Sequence, residues 1–236
     1  MLLPAIADFP TTEADRLDAL HHYQIVHSLQ EEVFDEFVAL AAHIFSLPIS
    51  LLNLVDAQQV LSKAQYGVPR LPPQPRAEML CSVVVEQNQL LVYHDLSTIL
   101  PMATDRRAIQ ATLATGARFY AAAPVRMPSQ HSIGALCLLD RRPREFSQEE
   151  QDVLQQLADL VSQAIVVRHV CHSSEALGEA RWGELRTQVR DEVHALGALV
   201  RYLLARYGMT IPVPEEVLHL VVRRLQDLRL ILHSVE

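Results

Sequence analysis

The sequence predicts an α+β fold: a mostly antiparallel sheet with helices on one side, followed by an α-helical hairpin. Three observations carry this. Eleven of the thirteen prolines lie at or before Pro143, so residues 144–211 run for 68 positions without a helix breaker. In the front half, ISLLNLVD, RFYAAAPVRM and SIGALCLLD have the apolar runs and alternation of strands. In the back half, Val189, Val193, Leu196, Val200, Leu203 and Tyr207 step by fours and threes, the seam of a packed helix.

Taken in order, Thr11 and Thr12 precede EADRLDALHHYQI, where a capping hydroxyl and early acids start a helix with Leu17, Leu20 and Ile25 inward. EEVFDEFVALAAHIFS spaces Val33, Phe34, Phe37, Leu40, Ala41 and Ile44 as a second helix, with Pro48 as its stop. The strand ISLLNLVD sends Ile49, Leu51, Asn53 and Val55 to one face and Ser50, Leu52 and Leu54 to the other. VLSKAQ reads as its hairpin partner, and the proline-rich GVPRLPPQPR as a loop. AEMLCSVVVEQ suits a short helix, QLLVYHDL a short strand, and TDRRAIQATLATG a helix closed by Gly116. The strands RFYAAAPVRM and SIGALCLLD form a hairpin across MPSQH, and a long helix starts at Ser147 with Glu149 and Glu150 in its first turn.

After it, Gly178 and Gly183 loosen the pattern into a flexible or broken helical connector, each costing about 1 kcal/mol against alanine. The second arm, Leu218, Val221, Leu225, Leu228, Leu232 and Val235, repeats the seam, and MTIPVP is the turn between the arms. A lone hairpin of this size has too little core, so pairing with a second copy into a four-helix bundle is the physical expectation. The predicted division is an N-terminal helical segment over 1–30, a domain over 31–170, a connector over 171–184 and a dimerising hairpin over 185–236.

The formal charge of −8 argues against a general nucleic-acid partner. The start MLLPAIADFP lacks the basic region of a secretory signal, and no apolar run approaches a membrane span, so the chain reads as cytoplasmic with no membrane partner. Three scattered cysteines, Cys81, Cys137 and Cys171, form no disulfide or zinc framework, and His169 with His172 makes only half a ligand set, so no metal is expected.

The succession FDEFVALAAHIFSLPISLLNLVD, CSVVV, RFYAAAPVRM and IGALCLLDRRPREFSQEEQDVLQQLADLV resembles a GAF domain, over roughly residues 12–170 and in its bacterial form. The resemblance implies a GAF-like antiparallel sheet of five or six strands, helices on one face, and a small-ligand pocket on the other. The matching pocket segments carry Asn53, Tyr66, Cys81, His94, Asp95 and Tyr120 as candidate ligand-binding residues, with Lys63, Ser82 and Arg118 beside them. The alternative is that such groups bond to backbone and side chains fill the space. The region matching the chromophore attachment of bilin-binding relatives, TDRRAIQATLATGARF, has no cysteine, so no covalent bilin is expected and the cofactor is left unknown. Thiol reductases of this fold need converging cysteines; Cys81 fits the pocket, whereas Cys137 shares a strand face with Ile133, Ala135 and Leu139 and reads as structural.

The hairpin is similar to the dimerisation and histidine-phosphotransfer region of histidine kinases. His194 follows a seam residue and falls outside the seam, where a phospho-acceptor or a plain solvated histidine would sit. Asp191 is one turn earlier, and Arg190 and Arg201 lie where they could meet phosphate; Ala195-Leu196-Gly197-Ala198 departs from the acceptor pattern. The expectation is a non-enzymatic sensory or regulatory signal-transduction protein. It would bind a small ligand or partner and signal through a homodimeric hairpin over 185–236. The alternatives are phosphotransfer through His194, with a histidine kinase or response regulator as partner, and a thiol redox enzyme using Cys81.

Overall fold

A computed structural model describes residues 12–26, 28, 31–100, 105–174, 178–208 and 211–233, the Tyr207 side chain excepted. Thr11, residues 175–177, 209–210 and Val235 lie outside the described residues. The elements run α1 (Glu13–His22), α2 (Glu32–Phe45), β1 (Ile49–Val55), β2 (Gln59–Tyr66), β3 (Gln74–Pro75) and α3 (Leu80–Gln87). They continue as β4 (Leu91–Tyr93), α4 (Arg106–Ala114), β5 (Phe119–Arg126), β6 (Ser132–Asp140), α5 (Gln148–Ser173), α6 (Gly178–Tyr207) and α7 (Glu215–His233).

Local chemistry sets the boundaries. Thr12 and Asp15 form a reciprocal capping box at α1, and Ser147 and Glu150 form one at α5, satisfying amide donors that a helix start leaves open. α2 stops at Ser46, two residues before Pro48. Ser46 takes a left-handed conformation with φ +52°, and the Leu47 amide donates to the Ala42 carbonyl at 2.9 Å. Gly116 closes α4 with φ +86°, its amide on the Leu113 carbonyl.

The six strands form one antiparallel sheet in the order β3-β2-β1-β6-β5-β4. The predicted proline-rich loop includes the two-residue edge strand β3. β1 and β6 meet at the centre, where a Cβ on Gly134 would stand 2.2 Å from the Asn53 carbonyl oxygen, so only glycine fits. Two bulges break the period-2 pattern. Leu52 pairs with Ala64 and Asn53 with Ser62, leaving Lys63 as an extra residue in β2. Val125 pairs with Gly134 and Arg126 with Ser132, leaving Ile133 extra in β6. Each bulge moves the residues beyond it to the opposite face. Ile133 consequently joins the core under α2 and α5, not the face it was expected to share with Cys137.

One face of the sheet, with Leu52, Leu54, Ala121, Ala123, Leu136 and Leu138, packs beneath α2 and α5. The other, with Leu51, Val55, Ala122, Ala135 and Cys137, is covered by the short helices α3 and α4.

The hairpin is not a separate unit. α6 packs along α2 and α7 along α5, and α6 packs against both α5 and α7. Val189, Val193, Leu196, Val200, Leu218, Val221, Leu225, Leu228 and Leu232 are buried in the same core as the sheet and α2. The sequence predicts a second copy as the cover for this seam; in the structure two helices of the same chain cover it. A heptad pattern specifies an apolar stripe and is silent on whose surface meets it. α5 ends at Ser173 and α6 begins at Gly178, and within α6 Trp182 and Leu185, part of the expected connector and first arm, are fully buried.

Two carboxylates fasten the hairpin, Glu150 fully buried and Glu31 partly so. Glu31, the N-cap of α2, accepts Nε–H of Arg168 on α5 with one oxygen and the indole N–H of Trp182 on α6 with the other, at 2.8 Å. Glu150, in the first turn of α5, is ion-paired to Arg144 and accepts the Val213 amide of the α6–α7 turn at 3.2 Å. Glu150 is fully buried, so its removal strands the Arg144 guanidinium in the interior. Glu150→Ala is expected to cost about 3–5 kcal/mol in urea unfolding followed by Trp182 fluorescence. An Arg144→Met, Glu150→Leu pair should cost less than Glu150→Ala alone. A Glu150→Ala loss under ~1 kcal/mol would contradict this account of the ion pair.

Candidate functional site

Alternation on β1 aims Asn53 at the α3 side of the sheet, and Cys137 on β6 and Tyr120 on β5 follow the same rule. Cys81 comes from the first turn of α3, which the run LCSVVV buries against that face. The Asn53 amide nitrogen donates toward Cys81 Sγ at 3.7 Å and Cys137 Sγ at 3.9 Å. Its carbonyl oxygen accepts from Ser62 Oγ at 2.7 Å, and the Tyr120 hydroxyl lies 3.5 Å from Cys137 Sγ. Ser82 turns away and donates to the Arg76 carbonyl at 2.8 Å.

This cluster is sealed. Asn53 and Cys81 are 1 % exposed and Tyr120 3 %, among Leu51, Val55, Val60, Leu80, Val84 and Ile109. The neighbouring Cys137 and the burial of the site push the Cys81 thiol well above its ordinary range, with Asn53 pulling only weakly the other way. Burial, then the two thiols, raise the Tyr120 phenol likewise. At neutral pH these groups are protonated, and a protonated buried thiol is a poor nucleophile.

The other sequence candidates lie elsewhere. The Lys63 bulge carries Tyr66 to the opposite face, where its hydroxyl is 3.4 Å from His43 Nε2. Lys63 itself donates to the Ser28 carbonyl at 3.1 Å and lies over the Phe34 ring; burial lowers its amine to about 8. His94 Nδ1 is 2.9 Å from the Arg144 carbonyl, which fixes the proton on that nitrogen. Asp95 caps the turn Leu96–Thr98 and takes Arg118 on both oxygens at 2.7 and 2.6 Å, which holds its carboxyl far below the usual range. Thus Asn53, Cys81 and Tyr120 converge, whereas Tyr66, His94 and Asp95 do not join them. The sequence reading missed Cys137 as a member of the cluster, although its strand parity with Ala135 pointed there.

His194 projects from α6, with its side chain 58 % exposed and Nε2 2.8 Å from Glu36 Oε2 of α2. Asp191 instead lies beside Arg190 at 3.5 Å, and Arg201 reaches toward His43. Cys171, the cysteine of the Cys-His pair, is buried, and burial raises its thiol. Among the described residues no cluster of three or more His, Cys, Asp or Glu side chains could hold a metal ion, and no helix is long and apolar enough to cross a membrane.

The sheet order, the helices on its two faces and the position of this cluster agree with one family. The model of the GAF domain matches residues 30–165. The chain belongs to the GAF family. Over 190 residues, 80 % of the chain, it is 26 % identical to a cyclic di-GMP phosphodiesterase of Pseudomonas aeruginosa. That stretch is 31 % of the relative, so the chain spans about a third of the phosphodiesterase's length. The alignment covers more residues than the GAF model does, so the similarity extends beyond the GAF domain. Among solved structures, the blue-light-absorbing form of the Thermosynechococcus elongatus PixJ GAF domain aligns with TM-score 0.51 and 16 % identity. That alignment covers 68 % of this chain and 94 % of that one. The GAF domain of an Acinetobacter phosphoenolpyruvate-protein phosphotransferase aligns at 0.49 and 18 % identity, covering 67 % and 98 %.

The sealed geometry makes a direct prediction. Iodoacetamide at neutral pH is expected to leave Cys81, Cys137 and Cys171 of the folded GAF protein unmodified and to label all three in urea, as read by mass spectrometry. Rapid labelling of Cys81 in the native state would contradict the sealed site.

Proposed function

We propose that this GAF protein is a non-enzymatic regulatory module. Its sheet domain receives a small ligand or partner, and the docked α6–α7 hairpin carries the response. The observation that carries this reading is the shared core: Leu136 and Leu138 of the central strand and Leu196 and Val221 of the hairpin belong to one continuous apolar cluster. A change in sheet position therefore bears on the hairpin through packed side chains, which repack between discrete arrangements rather than deform smoothly. A cyclic di-GMP phosphodiesterase with a segment similar to this chain supports placing the module in signalling. Association of two copies through residues 185–236 requires the outer faces of α6 and α7, where Tyr202 and Leu230 are exposed, since the inner seam is occupied. The test is a double-mutant cycle between Asn53→Ala and Glu31→Gln. Distant independent sites add within about 0.3–0.5 kcal/mol. Coupling through the core predicts non-additivity of ~1 kcal/mol or more, and simple additivity would refute the transmission route.

The exposed His194–Glu36 pair favours a second reading, phosphotransfer. A carboxylate on one ring nitrogen orients the imidazole, leaving the other nitrogen to attack. Incubation with phosphoramidate is then expected to give an acid-labile phosphate that is absent from His194→Ala. An unlabelled wild-type protein would dismiss this reading. The thiol redox alternative at Cys81 is the least supported, because both thiols of the cluster are buried and the Cys81 pKa is raised.

A further inference from the structure

An open cavity of about 740 Å³ lies away from the Asn53 face, between the end of α2, the loop after β6 and the last turn of α6. Its volume is in the range of small-molecule sites. The floor is apolar, formed by Ala42, Leu47, Pro48, Leu204, Ala205 and Ile211, and Ile211 is 58 % exposed there. Arg142 and Arg201 stand on the two sides, one from the sheet domain and one from the hairpin.

Neither guanidinium meets a carboxylate among the described residues. Arg142 makes only a backbone bond, its amide donating to Asp140 Oδ1 at 3.1 Å. Arg201 Nη1 lies 3.5 Å from His43 Nδ1, with Gly197 leaving room for it to fold back across α6. In the same wall Arg144 is bound to Glu150 and the Phe45 carbonyl, while its buried Nε has no hydrogen-bond partner.

The helix C-terminus facing the cavity does not oppose an anion strongly. Three carbonyls of the last α2 turn are taken up, Ala42 by the Leu47 amide, His43 by the Ser46 amide and Phe45 by Arg144. The charge count of the wall is specific. Arg144 is balanced by Glu150, and Asp140 offsets one of the two remaining arginines, which leaves one net positive charge. One positive charge above an apolar floor suits a monoanion with a hydrocarbon body better than a polyphosphate.

We propose that this cavity binds a medium-chain alkyl carboxylate, with the head group held by Arg142 and Arg201 and the chain lying on Leu47, Pro48, Leu204 and Ile211. Occupancy would tie the hairpin to the loop after β6 across their joint. The site is separate from the Asn53 face and does not depend on the regulatory reading, because its test reads binding alone.

The test is calorimetric titration of the full chain with octanoate, with octanol as the tail-only control and inorganic phosphate as the anion-only control. Octanoate is expected to bind saturably at one site, and neither control should. Arg142→Gln and Arg201→Gln should each weaken octanoate about tenfold or more, the value of one charge-assisted hydrogen bond. Ile211→Asp should weaken it as well. Circular dichroism and the urea midpoint report that each variant is folded, and these surface changes should leave both unaltered. Absent octanoate binding, unchanged binding in the Arg142→Gln, Arg201→Gln double variant, or phosphate binding as tight as octanoate would each overturn the proposal.

Discussion

Two carboxylates at the joint of sheet domain and hairpin hold the arrangement together. Glu31 and Glu150 each sit at the start of a long helix, each is neutralised by an arginine of the sheet domain, and each accepts one N–H group from the hairpin. A buried charge is tolerated only when paired and hydrogen-bonded, so the fully buried Glu150 site is all-or-none. If the hairpin undocks, each carboxylate loses one of its donors and the apolar seam of α6 and α7 is exposed to water. The helical layer and the sheet domain are in this way energetically one object, although the sequence divides into a mixed front and a helical back.

Much of this was legible in the chain, and the parts that were not share a cause. The alternation of ISLLNLVD correctly separated Leu51, Asn53 and Val55 from Leu52 and Leu54, because period 2 is a local property. Tyr66 and Ile133 were assigned to the wrong faces because each lies beyond or at an inserted residue, and a bulge shows only in the register with its partner strand. The seam residues of both arms were readable, but the surface covering them was not. The pairing of Trp182 with Glu31 spans 151 positions, and no local pattern announces it. For the candidate site, Asn53, Cys81 and Tyr120 were identifiable and do meet, while His94 and Asp95 are engaged in holding loops to Arg144 and Arg118.

The result is a GAF domain with unequal faces. On the α3 side the central cluster is closely packed, with Asn53 satisfied by a hydroxyl and two thiols. The α2 and α5 side carries the two carboxylates that hold the hairpin and the open joint near Ile211. Small residues allow the tight fit on the sheet: Ala121, Ala122 and Ala123 in β5 and Gly134 in β6 let the layers approach, which leaves little room for adjustment at the centre. At the hairpin joint, by contrast, a cavity of about 740 Å³ remains.

The strand order has a consequence for how the molecule is made. β1 and β2 are synthesised early, yet the central neighbour of β1 is β6, the last strand of the sheet. The first hairpin must therefore wait, with an unpaired inner edge, until the second emerges. Even then α2 and α5 lack their outer cover, which arrives with α6 for the one and α7 for the other. Nascent chains of this protein thus expose apolar surface until α6 and α7 have followed the sheet, the condition in which chaperones are engaged and truncated products aggregate.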